Sequence, residues 1–582
     1  MARADAGGVT AAALRKPSAL ALALAARTAA LARSLPWQPW SVLAPLVLVQ
    51  WAAVAVFALT VRHNGWLFYQ GGDESGYYTT AWSLGHAYLP VTPIGWGWST
   101  LLSPVAAIAG PSFLSALPAI VVLQTVLLLP VAVVSVYAIA ARLGGRLLGY
   151  LAGAAWIAAP FAVILVADPR YHERWVEQFL PQALGLTGLA DFPSMVALLA
   201  GAALILRALA DGGRANTLLA GLVVSFAIGI KPANALFLVG AALAFLLARR
   251  FGQALLFGAA LVPGLVALAV WKQRGLGELP LFALGTHTLA AGGGPTGWSL
   301  PRPPSLLGSL LGATYIDIKW SRIDQNLIAL REFFWNTRLY QVLPFIGLVA
   351  VLRRSRPAAG LLAGWFAAFF VVKGTNQYAT VDSGSFFRFL LPALPAYLLL
   401  AAAIPLLVPV AGRHMAATGA ALRGPRLARP RTTVAAVAAV LGVIPLLLFV
   451  AAPHLPAGKA VKYFQNATYV PVAGPAPTAT VSIDGKVSLS WARPATGGIG
   501  VWFKVMRSLN DPVSCQSTGG GTIDCAYSHN LDVLATGRTT AYDDTPGPGT
   551  WWYSVGVVAN WLDDSTKGDV LLLLQAVRVD VS

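Results

Sequence analysis

Charge is what this chain has least of. Only 11% of its 582 residues are Asp, Glu, Lys or Arg, and 57% are apolar. Soluble domains carry about a quarter charged residues. A mean hydropathy of +0.66 completes the exclusion, and the class is integral membrane. Cysteine is nearly absent: Cys515 and Cys525 are the only two, leaving room for a single bridge. His172-Glu173 has no second histidine at zincin spacing, and Gly292-Gly293-Gly294-Pro295 lacks the Lys-Ser/Thr ending of a P-loop. No half-to-half repeat of the kind transporters carry is visible either.

What is present is a series of apolar runs. A bilayer core about 30 Å thick asks for roughly 20 apolar residues per helix, and about eleven runs qualify or nearly do. They cover Ser41 to Val61, Leu117 to Ala141, Leu147 to Ala167, Phe192 to Ala210, Thr217 to Ile230, Ala233 to Ala248, Leu255 to Trp271, Leu339 to Leu352, Ala358 to Val372, Phe389 to Val410 and Thr433 to Ala452. The stretch Leu20 to Ala32 is interrupted by Arg27 and has no obvious cleavage site, so it is expected to be a cytoplasmic helix rather than a signal peptide.

Lys and Arg beside the spans fix the orientation, because positive flanks stay in the cytoplasm. Arg15, Lys16, Arg27 and Arg33 place the N-terminus inside. Arg142 and Arg146, Arg207 and Arg214, Arg249 and Arg250, the cluster Arg353, Arg354, Arg356, and the loop Arg413 to Arg431 then fall inside as well. This sidedness absorbs nearly all of the net charge of +18 and removes nucleic acid as a partner. The protein is expected in the cell (plasma or inner) membrane, with its long loops and C-terminus outside.

The first outer loop mixes Trp66, Phe68, Tyr69, Tyr77, Tyr78, Trp82, Trp96 and Trp98 with few charges, as interfacial helices or an aromatic belt would. Within it Gly71-Gly72 precede Asp73-Glu74 and Tyr77-Tyr78, a tight turn before a helical stretch. The fifth and sixth spans are each short and meet at Gly229-Ile230-Lys231-Pro232, so a shallow hairpin is expected. Lys231 there either snorkels to headgroups or holds an anionic ligand. Asp168 to Arg174 reads as a solvated ion-pair turn, and Asn466-Ala467-Thr468 matches a glycosylation sequon by a frequent chance pattern. After about Thr478 the pattern alternates with period two. A small β-sandwich is expected, with Cys515 and Cys525 bridged in an oxidising compartment. The domain reading is 1–40 cytoplasmic segment, 41–455 transmembrane domain, 456–477 linker and 478–582 sandwich.

The tail resembles a fibronectin type III domain, through Leu489-Ser490-Trp491 with Pro494, Trp502 to Arg507, Tyr553 at the tyrosine-corner position and Val577 to Val581. Such domains serve as spacers or as recognition modules. Residues 60–460 resemble the GT-C superfamily of polyprenyl-phosphate-sugar glycosyltransferases, which includes protein mannosyltransferases and the aminoarabinose transferase of lipid A. The matching features are Asp73-Glu74 with Tyr77-Tyr78, Asp191-Phe192-Pro193-Ser194-Met195 at the head of the fourth span, and Phe387-Arg388-Phe389 running into Pro392 and Pro395.

The resemblance implies a polytopic α-helical enzyme moving a sugar from a polyprenyl-phosphate donor to an extracytoplasmic protein, lipid or polysaccharide. Asp73 would be the base for the acceptor hydroxyl. Arg388 and Lys231, with Lys373 behind them, would hold the donor phosphate. Asp191 and Glu74 would bind acceptor or a divalent ion, with an N-cap role for Asp191 equally compatible with its position; whether a metal takes part is left open. The competing class is a transporter or flippase of lipid-linked saccharides.

Overall fold

The computed structural model describes residues 39–61, 72–90, 92, 94–276, 319–334, 338–376, 378–419, 430–463, 468–495, 500–519, 522–527, 531–559 and 570–582. The expected cytoplasmic helix at Leu20 to Ala32, the rings Trp66, Phe68 and Tyr69, the glycine run at 292–294 and Asn466-Ala467 of the sequon lie outside them.

Eight described helices are long and apolar enough to cross a membrane: α1 (Trp40–Thr60), α4 (Phe113–Gly144), α5 (Arg146–Val166), α7 (Asp191–Asp211), α10 (Phe251–Leu276), α13 (Arg356–Gly374), α14 (Ser385–Leu407) and α15 (Pro430–Ala451). Three shorter apolar helices are α8 (Arg214–Ile230), α9 (Pro232–Leu247) and α12 (Leu339–Leu352). Each coincides with one of the eleven runs read from hydropathy. Between the spans lie α2 (Gly72–Gly85), α3 (Trp96–Ala109), α6 (residues 169–183) and α11 (Trp320–Phe333).

Prolines shape several of these helices. Three π-turns, Leu123–Leu128, Trp175–Phe179 and Ala439–Val443, each end two residues before a proline. Proline has no N–H to give to the preceding turn and its ring crowds the carbonyl there, so the ladder widens instead of breaking.

The expected hairpin of α8 and α9 is not a self-packed one. The chain turns at Lys231, whose backbone is extended; α8 then packs on α7 and α10, and α9 packs on α13. Small residues permit these contacts: at Gly240 a Cβ would stand 2.4 Å from Leu361 O of α13, at Gly229 it would stand 2.6 Å from the Trp96 ring, and at Gly95 it would meet the Ile230 carbonyl. The N-terminus of α3 therefore seats directly against the end of α8. Trp96 and Trp98 are fully buried there and Tyr78 nearly so, which corrects the interfacial belt expected of these rings. Trp96 packs edge-on to Phe226 and Phe449, and Trp98 Nε1 donates to Gly188 O at 2.8 Å.

The spans sort the charged residues into two ends. Asp191 opens α7 and Asp211 closes it, about 30 Å apart at 1.5 Å per residue. Near the far end Arg207 pairs with Asp211 at 3.6 Å. Arg146, at the start of α5, donates to Thr418 O at 2.8 Å. The ends of α7, α8, α13 and α14 that carry Asp191, Lys231, Lys373 and Arg388 are the other ones.

The C-terminal part is all-β, with twelve strands among the described residues, β1 (Ala460–Tyr463), β2 (Thr468–Pro471), β3 (Thr478–Val481), β4 (Val487–Ser490), β5 (Val501–Ser508), β6 (Val513–Gly519), β7 (Thr522–Tyr527), β8 (Asp532–Gly537), β9 (Ala541–Asp544), β10 (Gly549–Ala559), β11 (Val570–Leu573) and β12 (Val577–Val581). They form three sheets: β2-β1-β7-β6, β11-β10-β5-β8 with β12 also on β10, and β3-β4-β9. Val487, Leu489 and Trp491, from β4 (Val487–Ser490) and just beyond it, face Phe503, Tyr553 and Val555 from β5 (Val501–Ser508) and β10 (Gly549–Ala559). Phe503 to Met506 are buried without alternation, because the sheet containing β1 (Ala460–Tyr463) covers the second face of β5. That sheet also corrects the linker: β1 and β2 (Thr468–Pro471) form an antiparallel hairpin inside 456–477. Short strands bounded by prolines give too few alternations to read from sequence. Cys515 and Cys525 lie directly opposite on β6 (Val513–Gly519) and β7 (Thr522–Tyr527) and are bridged. Tyr553 gives its hydroxyl proton to the Asp544 carboxylate at 2.7 Å, where a tyrosine corner would bond the main chain.

The hairpin and the segments before and after it touch the membrane part. Thr79 of α2 donates to Tyr469 O at 3.0 Å, Leu89 N donates to Pro453 O at 2.8 Å, and Ser115 donates to Ala495 O at 2.8 Å.

Candidate active site

The site begins with the start of α2. Glycine at 72 opens the helix, and Asp73 and Glu74 occupy its first turn, where carboxylates meet the positive end of the helix dipole. The two diverge. The Asp73 side chain is 55% exposed, whereas Glu74 is fully buried with Oε2 beside Gly188. One turn on, Tyr77 is buried and Ser99 of α3 donates to its carbonyl at 3.0 Å, fixing α2 on α3.

Asp191 is the first residue of α7, and Ala190, not Asp191, holds the cap position. The Asp191 side chain is 2% exposed and reaches two cations instead: one oxygen accepts from Lys231 Nζ, the other from Arg388 Nε at 3.4 Å. The N-cap alternative is thereby corrected. Lys231 does not snorkel either: it is 20% exposed and committed to Asp191, with its ammonium 5.9 Å from the Phe389 ring centre. Asn234 holds the turn, donating to Ala227 O at 2.7 Å while its own N–H reaches Lys231 O at 2.8 Å.

Arg388, in the first turn of α14, completes the arrangement by pairing with Asp73 through a terminal nitrogen. Lys231, Asp191, Arg388 and Asp73 thus form one alternating line, contributed by the α8–α9 turn, α7, α14 and α2. It runs from a buried carboxylate to an exposed one. A guanidinium has the planar fork to hold two carboxylates at once, and Arg388 uses it so. Tyr77 stands beside this line. Burial first, then the charges of Asp191 and Asp73, push its phenol far above the ordinary value, partly offset by Arg388. It therefore stays protonated across the physiological range.

A scan against protein-family models finds no match. A search of curated proteins finds none either. Among solved structures the chain is similar to the oligosaccharyltransferase of Archaeoglobus fulgidus. Against its apo form the TM-score is 0.35 with 14% identity, over 72% of this chain and 57% of that one. Against the form tethered to an acceptor peptide containing the NVT sequon the values are 0.41 and 14%, over 72% and 56%. Against the complex with an inhibitory peptide and a dolichol-phosphate they are 0.36 and 13%, over 72% and 57%. The chain spans little more than half the length of that protein.

The donor set does not suit a divalent ion held by Glu74 and Asp191. Among the described residues no group of three or more His, Cys, Asp or Glu side chains converges, and Asp191 already carries two cations that an ion would have to displace. Asp168 and Arg170 form an exposed pair at 2.9 Å, and hydrogen bonding from Arg170 holds the Asp168 carboxyl below its usual range; no other candidate side chain joins them. Sequence reasoning did not single out Asn326 of α11, a buried amide that donates to Gly374 O at 3.2 Å and Ala379 O at 2.6 Å. Its only signal is an amide in mid-helix, a place the residue type does not favour.

Proposed function

We propose that this protein is a GT-C-type membrane glycosyltransferase that moves a sugar from a polyprenyl-phosphate donor onto an extracytoplasmic acceptor. The observation that carries the reading is the shared use of Arg388 by Asp73 and Asp191. Asp191 is the fixed counter-ion of the cationic pocket; Asp73 is the replaceable one, exposed and held from one side only. A donor phosphate entering at Arg388 and Lys231 takes the guanidinium from Asp73. The freed carboxylate is then an uncompensated base at the rim of a partly desolvated cleft.

In the reaction Asp73 accepts the proton of the acceptor hydroxyl as its oxygen bonds the anomeric carbon. The bond from that carbon to the phosphate oxygen breaks, and both electrons leave with polyprenyl phosphate. Arg388 and Lys231 stabilise the charge that develops on it. Displacement from the face opposite the phosphate inverts the anomeric centre. Tyr77, kept protonated, is a hydrogen-bond donor beside the same carboxylates.

Sidedness supports the reading. The positive-inside orientation puts the N-terminus and the Arg142, Arg146, Arg207 and Arg214 ends in the cytoplasm, and the site ends of α7, α8 and α14 lie at the opposite face. In that frame the β-domain is extracytoplasmic, where its bridge persists. The order of its β3-β4-β9 sheet and of β8-β5-β10-β12 supports the fibronectin III-like reading. The sugar acceptor is a protein, lipid or polysaccharide outside the membrane.

Purified protein in nanodiscs, given a radiolabelled polyprenyl-phosphate sugar and envelope acceptor, tests this. Acceptor-dependent release of free polyprenyl phosphate is expected. Movement of the intact donor across liposomes with no bond broken would make it a flippase instead.

A further inference from the structure

The loop that joins α13 to α14 carries a cation at each end, Lys373 in the last turn of α13 and Arg388 in the first turn of α14. Lys373 is 8% exposed. Its helix packs on the 232–236 turn that follows Lys231 and on the start of α14, which puts Lys373 at the end of α13 nearest Lys231 and Arg388.

Two buried side chains from other elements hold the main chain of this loop. Asn326, 3% exposed in the middle of α11, donates through Nδ2 to Gly374 O at 3.2 Å and to Ala379 O at 2.6 Å. Its Oδ1 accepts from Val381 N at 3.1 Å. Tyr171 of α6, 1% exposed, donates to the carbonyl of the same Val381 at 2.5 Å. Both polar groups of Val381 are therefore fixed from outside, and the carbonyl next to Lys373 is fixed as well. An amide that gives both protons and an acceptor site to a single loop lowers the freedom of that loop rather than stabilising its own helix. The ordering cost of a two-cation site is then met on folding and not on binding.

We propose that Asn326, backed by Tyr171, is a positioning residue. It holds Lys373 and Arg388 at a set separation as a clamp on one phosphate group of the lipid-linked donor, with Lys373 as the third cation of the pocket. The proposal rests on the reading of this pocket as a donor-phosphate site. Helix α11, the described end of the segment whose pattern was unreadable, then belongs to the catalytic unit.

The test is the binding of undecaprenyl phosphate to the full chain in nanodiscs, with melting temperature followed in parallel. Asn326→Leu and Lys373→Met are each expected to weaken binding about tenfold, as loss of one positioned charge contact does. The two losses combined should fall short of their product, because both act through the same contact. Wild-type affinity in Asn326→Leu, or losses that multiply in full, overturns the proposal and leaves the donor reading standing. If Asn326→Leu does not fold, Lys373→Met decides, and unchanged affinity there is the overturning result. No binding by the wild-type chain overturns the donor reading itself, and the clamp with it.

Discussion

Asp191→Asn keeps the volume of the side chain and removes one charge from a place with almost no water. Asp191 is 2% exposed, and its partners Lys231 and Arg388 are 20% and 26% exposed. Deleting one member of a buried ion network leaves the others desolvated and uncompensated, at a cost of about 3–5 kcal/mol. Here the loss leaves Lys231 without its counter-ion, while Arg388 keeps Asp73, so the lower part of that range is expected. Adding Lys231→Met to the same chain removes the stranded charge. The double variant should therefore be less destabilised than the sum of the singles by about 1–3 kcal/mol. Scanning fluorimetry and SDS-induced unfolding in mixed micelles read all four corners of the cycle. Asp191→Asn with wild-type unfolding, or strictly additive losses, would refute the buried counter-ion argument.

Other parts of the structure give independent tests. Arg388→Lys keeps the charge but not the fork that spans Asp73 and Asp191, so donor KM should rise about tenfold or more while the protein remains folded; unchanged KM counts against the phosphate role. Gly229→Ala sets a Cβ 2.6 Å from the Trp96 ring. It should cost about 1–3 kcal/mol and displace Lys231, visible as a lower melting temperature together with weaker donor binding. Cys515→Ser with Cys525→Ser opens a loop of sequence separation 10. The β-domain should lose about 2–3 kcal/mol, read by urea unfolding of the full chain followed at its tryptophans, and no change would mean the bridge contributes nothing.

Much of the architecture is legible in the sequence because membrane spans advertise themselves by length and apolarity. All eleven runs return as helices, including the three too short to satisfy a simple window. Partner choice is not legible. Which helix α9 packs against depends on where Gly240, Gly360 and Gly364 permit contact, and that is a property of pairs. Another such pair, Gly95 and Gly229, lets α3 seat on α8 and buries Trp96 and Trp98, whose composition alone reads as an interfacial belt. The candidate site was legible as an inventory: Asp73, Asp191, Lys231 and Arg388 stand out as ionisable residues at or next to the ends of apolar runs. Their pairing was not. Asp191 has a cap-compatible position and Lys231 a snorkel-compatible one, and only the approach of α7, α14 and the α8–α9 turn selects between these fates. Asn326 illustrates the remaining gap. Its partners are main-chain groups about fifty residues away, which leave no trace in local pattern. The β1–β2 hairpin escaped because two four-residue strands carry too little periodicity to separate from a linker.

The central claim is that Asp73 is the base and Arg388 its release switch. Asp73→Asn, assayed side by side for sugar transfer and for undecaprenyl phosphate binding, tests it most directly. Transfer should fall by about a hundred- to ten-thousand-fold, while binding is kept or tightened because Arg388 no longer has Asp73 as a competing partner. Transfer at the wild-type rate in this variant would contradict the account.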